Sequence, residues 1–322
     1  MKILASDGLS EKAVQKLRSE GIEVLLQQVA QEQIASVINE HSIDTLIVRS
    51  RTKVTGELMA TCPTLKVVVR AGVGMDNIDL ESAKEKGITV LNTPTASSRS
   101  VAEMVFAHFF SIARNLHESN RLMPLEGDSN FGPLKKNLSA GVELTGKKLG
   151  VIGFGPIGME VLKMGISLGM NVQVLTRKPV TKTLTLEFFD GQEVSFSLLS
   201  TNDMKAFLKD LDFLSINTPK TSEYIIDQKE LDLLKQGAII VNTARGGVIN
   251  EKALIDAIED KKVFGAGLDV FENEPKVELP ILMNPSLSLS PHLGGSTIDA
   301  QEKIGLEVAD QLITINNERL NK

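Results

Sequence analysis

The 322-residue sequence predicts an α/β protein with parallel sheets, organised as two domains of similar design. Three observations predict it. Short apolar runs alternate with helical runs through the first third, the alternation restarts at GKKLGVIGFG near the middle, and the later apolar runs end in Gly, Asn, Thr or Pro. Ligands of such sheets sit at the carboxyl ends of the strands, where small and polar residues gather.

In chain order, KILAS reads as a strand, Ser10 to Glu20 as a helix, and IEVLL, DTLIVRS and LKVVVRAG as further strands separated by helices. A long helical run, Ser98 to Glu118, follows the turn NTPTASS and carries the chain into the second cycle. Its strands are GKKLGVIGFG, NVQVL, LDFLSIN, GAIIVNT, VFGAGLDV and LSLSPH. Between NVQVL and LDFLSIN, the stretch TLEFFDGQEVSFSLL alternates about Asp190-Gly191 and reads as a β-hairpin. A last helix, Ile298 to Asn316, has no third sheet to join and is expected to return to the first domain. The expected division is therefore residues 1–97 plus 293–322, and residues 98–292.

Composition excludes several classes. With 42 % apolar and 24 % charged residues and a net charge of -6, the chain is neither disordered nor a membrane protein, and its acidity argues against nucleic-acid binding. A single cysteine, Cys62, rules out an internal disulfide framework and fits an intracellular setting. The N-terminus turns polar by Ser6 and Asp7, too early for a signal peptide, and the apolar helical stretch Val101 to Leu116 is too short to span a bilayer. A cytoplasmic enzyme without a metal site is expected.

Gly153, Gly155 and Gly158 follow an apolar strand and open a helix, the context in which glycines let the backbone approach a pyrophosphate. A carboxylate that holds the ribose of NAD normally follows about 20 residues later. From Val161 through Leu186 there is no Asp or Glu, and NVQVL ends in Thr176, Arg177 and Lys178. Arg177 would welcome the 2′-phosphate of NADP. Alternatively Thr176 bonds a plain ribose while the cations are solvated. The hairpin is either a surface insertion or a source of Asp190 or Glu193 as a substitute ribose partner.

Arg245 in NTARGG, Glu274 in DVFENEP and His292 in SPHLGG each follow an apolar run. An arginine fork can hold a carboxylate and polarise a carbonyl, a histidine can move a proton near neutral pH, and a glutamate can orient the imidazole. Such a trio suits a 2-hydroxy or 2-oxo acid. His41, His108 and His117 read as structural.

The motifs RAGVGMDNID, GITVLNTP, GFGPIG, NTARGGVINE, GLDVFENEP and SPHLGGST resemble the D-isomer-specific 2-hydroxyacid dehydrogenase family over nearly the whole chain. They are most similar to its phosphoglycerate dehydrogenase branch, in a short form without a C-terminal regulatory domain. The resemblance implies two Rossmann-like domains with the active site in the interdomain cleft, residues 1–97 plus 293–322 binding substrate and residues 98–292 binding the dinucleotide. It implies Arg245, Glu274 and His292 as catalytic residues, and cofactor contacts at Val73, Pro156, Ile157, Thr218, Thr243, Asp269 and Gly294 beside the three glycines. Thr176 stands where NAD-specific members carry Asp, so the cofactor is NAD or NADP. A homodimer through the nucleotide domain is implied. The family often carries a tryptophan and a basic residue between Asn120 and Leu144; this chain has no tryptophan, and Lys135 and Lys136 are the candidates to substitute for the basic residue.

RSRTK places three cations in a short span, and Arg49 and Arg70 end two apolar runs that can meet at one sheet edge. Arg49, Ser50, Arg70 and Gly72 are therefore candidates for binding a phosphorylated substrate, while Arg51 and Lys53 read as solvated. The implied reaction is oxidation of D-3-phosphoglycerate to 3-phosphohydroxypyruvate, the first step of serine synthesis. The alternatives are an NADPH-dependent hydroxypyruvate or glyoxylate reductase and, in a different class, a nucleotide-sensing corepressor on the same fold.

Overall fold

The computed structural model of the chain describes residues 1–320. They fall into two compact units, one of residues 1–97 with the segment from Gly295 onward, the other Ser98–Gly294.

In the first unit, β1 (Lys2–Ala5), β2 (Glu23–Leu26), β3 (Thr45–Val48), β4 (Val67–Arg70) and β5 (Thr89–Asn92) form one parallel sheet in the order β2-β1-β3-β4-β5. Helices α1 (Glu11–Ser19), α2 (Ile34–Glu40), α3 (Gly56–Thr61) and α4 (Leu80–Glu85) make the crossovers. Strand β5 extends the sheet beyond the four strands expected from sequence. β3 and β4 are apolar almost throughout because both faces of the sheet are covered. Successive residues serve opposite faces. Ile47, Val67 and Val69 pack with Ile3, Val14 and Leu17, whereas Leu46, Val48 and Val68 pack with Leu4, Ile34 and Ile38.

The second unit opens with α5 (Ser98–Ala113), α6 (Leu116–Glu126) and α7 (Phe131–Asn137). The single helix expected over Ser98 to Glu118 is thus broken. Asn115 adopts a left-handed φ of 52°, which Asn tolerates better than most residues, and its side-chain amide donates to the Leu138 carbonyl. There follow β6 (Lys148–Ile152), α8 (Pro156–Ser167), β7 (Asn171–Leu175), β8 (Thr181–Glu187), β9 (Glu193–Leu199) and α9 (Met204–Leu208). The unit ends with β10 (Phe213–Ile216), α10 (Gln228–Leu233), β11 (Ala238–Asn242), α11 (Glu251–Glu259), β12 (Val263–Leu268), α12 (Leu279–Met283) and β13 (Leu287–Leu289). Six strands form a parallel sheet in the order β13-β12-β11-β10-β6-β7. In each unit the strand order reverses beside the first strand, at β1/β3 and at β6/β10, which are the positions where ligand crevices open.

β8 and β9 form a separate antiparallel hairpin in which Thr181 pairs with Leu199 at the neck and Glu187 with Glu193 at the tip. It is more than a surface insertion, because Leu184 is fully buried in the cluster that holds Phe154 and Val161.

Helix α13 (Ile298–Leu320) belongs to the first unit, burying Ile304, Val308 and Leu312 against Val14 and Leu17. Lys12 of α1 pairs with its Glu302 at 2.6 Å. Gln311 donates to the Asn92 carbonyl and Asn92 donates to the Val73 carbonyl, fixing the loop after β4. Among the described residues no helix is long and apolar enough to cross a membrane.

Candidate active site

Strand β6 delivers Gly153 to the crevice of the second unit. Gly153 has φ +101°, in the left-handed region that favours glycine, and a side chain there would run into the Asn217 carbonyl. Gly158 packs against the Gly153 carbonyl oxygen in the same way. Gly155 differs: no atom lies within 4 Å of where its Cβ would stand. It caps α8, with Pro156 at the first helical position and Ile157 next, so the unpaired N–H groups of a 12-residue helix begin beside open space. Next to the loop, the hydroxyls of Thr218 and Thr243 and the Oδ1 of Asn217 are buried without hydrogen-bond partners. Buried polar atoms of this kind are available to a bound ligand. An open glycine, the positive end of a helix and unpartnered hydroxyls fit a dinucleotide.

Thr176 does not offer a free hydroxyl at the ribose position. Its Oγ1 donates to the Lys178 carbonyl at 2.8 Å and pairs with Ser200 Oγ, which accepts the Val180 N–H at 2.8 Å. The hydroxyl closes the neck of the hairpin. Arg177 and Lys178 are exposed, and Asp190 and Glu193 stand at the far tip. Six residues of strand separate that tip from the neck, roughly 20 Å, so neither acid replaces the missing ribose partner.

Asp269 follows β12 and is 1 % exposed. Its Oδ1 accepts from Ser290 Oγ at 2.6 Å and from the Leu293 N–H at 2.7 Å, and its Oδ2 accepts from the Gly294 N–H at 2.8 Å. These bonds wrap residues 290–294 around one carboxylate. His292, inside the wrap, is held at φ +55°, a conformation uncommon outside glycine. Its Nδ1 lies 3.0 Å from Glu274 Oε2, while Glu274 Oε1 accepts the Phe271 N–H at 2.9 Å. The other ring nitrogen has no partner among the described residues, so the pair can accept or release a proton at Nε2.

Arg245 follows β11. The Asn242 side chain accepts from the Ala244 N–H at 3.0 Å and donates to the Arg245 carbonyl at 2.9 Å, and the guanidinium donates to the Ala244 carbonyl at 2.6 Å. A side chain at Gly246 would collide with the Phe271 carbonyl, so the Arg245 turn lies against the turn that carries Glu274. The structure therefore brings the three turns of the trio to adjoining strand ends. His108 of α5 is structural but not remote: its ring bridges Ser288 at 2.9 Å and Ser290 at 3.0 Å, linking it to Asp269.

In the first unit, Val48 pairs with Arg70, so Arg49 and Arg70 end neighbouring strands. Asp7 stands two residues beyond β1, in no motif that marks it in the sequence. The Asp7 carboxylate accepts from the Arg49 and Thr52 N–H groups, the Thr52 hydroxyl and Arg51 Nε, fixing the whole loop. Arg51 is thus ion-paired rather than merely solvated. Arg49 spends only its backbone on Asp7; its side-chain Nε is buried without a hydrogen-bond partner. Arg70 folds over Gly72 to donate to the Ala71 carbonyl at 2.7 Å. Ser50 is exposed, and Lys135 and Lys136 lie in the last turn of α7. Cys62 is buried, which pushes its thiol pKa up and suits no nucleophilic role.

The parallel sheet and the glycine loop at its switch point define a dinucleotide-binding α/β protein of the Rossmann class. The model of the D-isomer specific 2-hydroxyacid dehydrogenase NAD binding domain matches residues 106–294. The chain is 37 % identical over 317 residues to a hydroxypyruvate reductase of Thermotoga maritima, covering 97 % of each. It is 38 % identical over 317 residues to a D-3-phosphoglycerate dehydrogenase of Methanocaldococcus jannaschii, covering 97 % of this chain and 57 % of that longer protein. Its structure matches that of a putative D-isomer specific 2-hydroxyacid dehydrogenase from Polaromonas sp. JS6 66 with a TM-score of 0.83 at 26 % identity, covering 98 % and 97 % of the two chains. The chain belongs to the D-isomer-specific 2-hydroxyacid dehydrogenase family, and it is an NAD(P)-dependent enzyme of that family.

Proposed function

We propose that the protein oxidises D-3-phosphoglycerate to 3-phosphohydroxypyruvate, with Arg245, Glu274 and His292 as its catalytic residues. The observation that carries the substrate class is Arg49, a half-buried guanidinium at the β1/β3 switch point whose Nε has no internal acceptor. Burial lowers its pKa from the ordinary arginine value, against the field of Asp7, so an arriving anion stabilises its charge. A phosphate dianion suits that position. Ser50, Arg70 and Gly72 complete the substrate set, and Val73 the cofactor set.

Gly155, Ile157, Thr218 and Thr243 would hold a nicotinamide dinucleotide at the glycine loop, where it would accept the hydride that leaves C2 of the substrate. Arg245 binds the substrate carboxylate and polarises the C2 oxygen. His292 Nε2 takes the hydroxyl proton on oxidation and returns it on reduction, while Glu274 holds Nδ1 and stabilises the charged ring. Asp269 fixes the loop that carries His292.

A second reading, reduction of hydroxypyruvate or glyoxylate with NADPH, is favoured by the missing ribose acid at Thr176 and by the similarity to the Thermotoga maritima reductase. Initial rates of the purified protein with NAD(H) and NADP(H) against 3-phosphoglycerate, 3-phosphohydroxypyruvate, hydroxypyruvate, glyoxylate and D-lactate separate them. The phosphorylated pair is expected to give the highest kcat/KM; turnover of hydroxypyruvate alone sinks the first reading. The family reading carries a homodimer, checked by light scattering, and a cytoplasmic location, checked by cell fractionation.

A further inference from the structure

The hairpin inserted after β7 sends one side chain back to the glycine loop. Lys182 Nζ donates to the carbonyl of Phe154 at 2.7 Å and lies 5.3 Å from the centroid of its ring. Phe154 stands between the first two glycines of GFGPIG. Lys182 is two residues from the fully buried Leu184, so the alternation of β8 points both side chains inward.

We propose that Lys182 recognises the adenosine 2′-phosphate of NADP(H) and is the main determinant of cofactor choice in this protein. The inference rests on the glycine loop being the dinucleotide cradle. In such a cradle the ribose lies between the loop and the end of the second strand. Here that strand ends in Thr176, whose hydroxyl proton is committed to Lys178, and the stretch from Val161 through Leu186 holds no acid to repel a phosphate. Arg177 follows the same strand end but is exposed, and no hydrogen bond anchors its side chain among the described residues. Lys182 is anchored: one ammonium proton bonds Phe154, two remain, and no carboxylate pairs with it among the described residues. An ammonium without a counter-ion beside a phosphate loop supplies the charge that a ribose phosphate needs and a ribose hydroxyl does not. The hairpin thus takes over, from outside the βαβ unit, the discrimination that an acid or arginine at the strand end usually performs.

The test is isothermal titration of the purified protein with NADP⁺, NAD⁺, 2′,5′-ADP and 5′-AMP, repeated on Lys182→Ala, Lys182→Met and Lys182→Arg. Wild type is expected to bind NADP⁺ at least tenfold tighter than NAD⁺, and 2′,5′-ADP tighter than 5′-AMP by a similar factor. Lys182→Met, which keeps the aliphatic stem over Phe154, should lose at least tenfold for NADP⁺ and less than twofold for NAD⁺, with Lys182→Arg restoring most of it. Equal losses for both cofactors would show that Lys182 only braces the loop and overturn the proposal. So would a wild-type ratio near one, which needs no variant to fold. Failure of wild type to bind either dinucleotide would instead overturn the cradle reading on which the proposal stands.

Discussion

Glu251 and Glu272 each accept the other's backbone N–H: Glu251 Oε1 from the Glu272 amide at 2.7 Å, and Glu272 Oε1 from the Glu251 amide at 3.0 Å. The exchange locks the start of α11 to the turn that carries Glu274. Burial, and the neighbouring charges of Glu272, Glu274 and Glu278, push the Glu251 carboxyl up to about 7 from 4.5. A carboxyl that holds its proton more tightly when folded stabilises the fold fully below 4.5, and that stability drains away as pH rises through about 7. The loss is at most about 3 kcal/mol. Glu251→Gln keeps the oxygen that accepts the Glu272 amide and should flatten the fall in urea-denaturation stability between pH 4.5 and 8; an unchanged slope would refute the assignment.

His108 works in the opposite sense. Burial lowers its pKa from 6.5, outweighing Asp269, which raises it. A histidine kept neutral by the fold gives stability that is complete above 6.5 and lost as pH falls through its lowered value. His108→Phe should remove that acid-side loss, while leaving Ser288 and Ser290 without ring partners at a cost of about 1–3 kcal/mol at pH 8. Chemical denaturation at pH 5 and pH 8 measures both.

Two glycines of one loop should respond differently to the same substitution. Gly155→Ala adds a methyl into open space, so melting temperature should barely move while dinucleotide affinity falls at least tenfold. Gly158→Ala drives a methyl into the Gly153 carbonyl and should lower both. Thermal melts with and without NADP⁺ distinguish them; a cofactor-competent Gly155→Ala would place the pyrophosphate elsewhere.

Arg49 and Arg51 provide a similar contrast. Arg49→Ala should raise KM for phosphorylated substrates roughly 10–100-fold, the value of a charge-assisted hydrogen bond, and leave unphosphorylated ones nearly unchanged. Arg51→Ala breaks its ion pair with Asp7 and should lower stability more than substrate affinity. Equal effects of Arg49→Ala on both substrate types would remove its phosphate role.

For the trio, His292→Ala should cut kcat by about 10²–10⁴ with cofactor affinity preserved, as loss of a general acid and base requires. Glu274→Gln should shift the pH–rate profile and lower kcat less. A profile unmoved by Glu274→Gln would separate the glutamate from the proton transfer.

What the sequence displayed and what it hid differ by range. Each member of the trio follows its own strand inside a short motif, and Gly153, Gly155 and Gly158 adjoin one another, so local pattern marks them as candidates. The arrangement of Asp269 around residues 290–294 spans more than 20 positions, and the bond from His108 to Ser290 spans 182. Thr176 looked available because its partner, Ser200, lies on the far side of the hairpin. Lys182 is hidden for the same reason: only the fold brings its ammonium to the Phe154 carbonyl. The break at Asn115 depends on a left-handed residue satisfied by Leu138, which helical periodicity does not register.

The placement of α13 in the first unit sets an order of synthesis. A ribosome makes β1, β3 and β4 early, yet one face of their sheet is covered by Ile304, Val308 and Leu312, which emerge only after the whole second unit. The second unit is one uninterrupted stretch whose ends are joined by a 2.6 Å hydrogen bond from Ser100 Oγ to the Gly294 carbonyl. It can therefore fold while the nascent chain is still tethered. Of the two units, the first is begun before the second and completed after it, and a chain stalled between Gly294 and α13 carries a complete second unit and a first-unit sheet with one face uncovered.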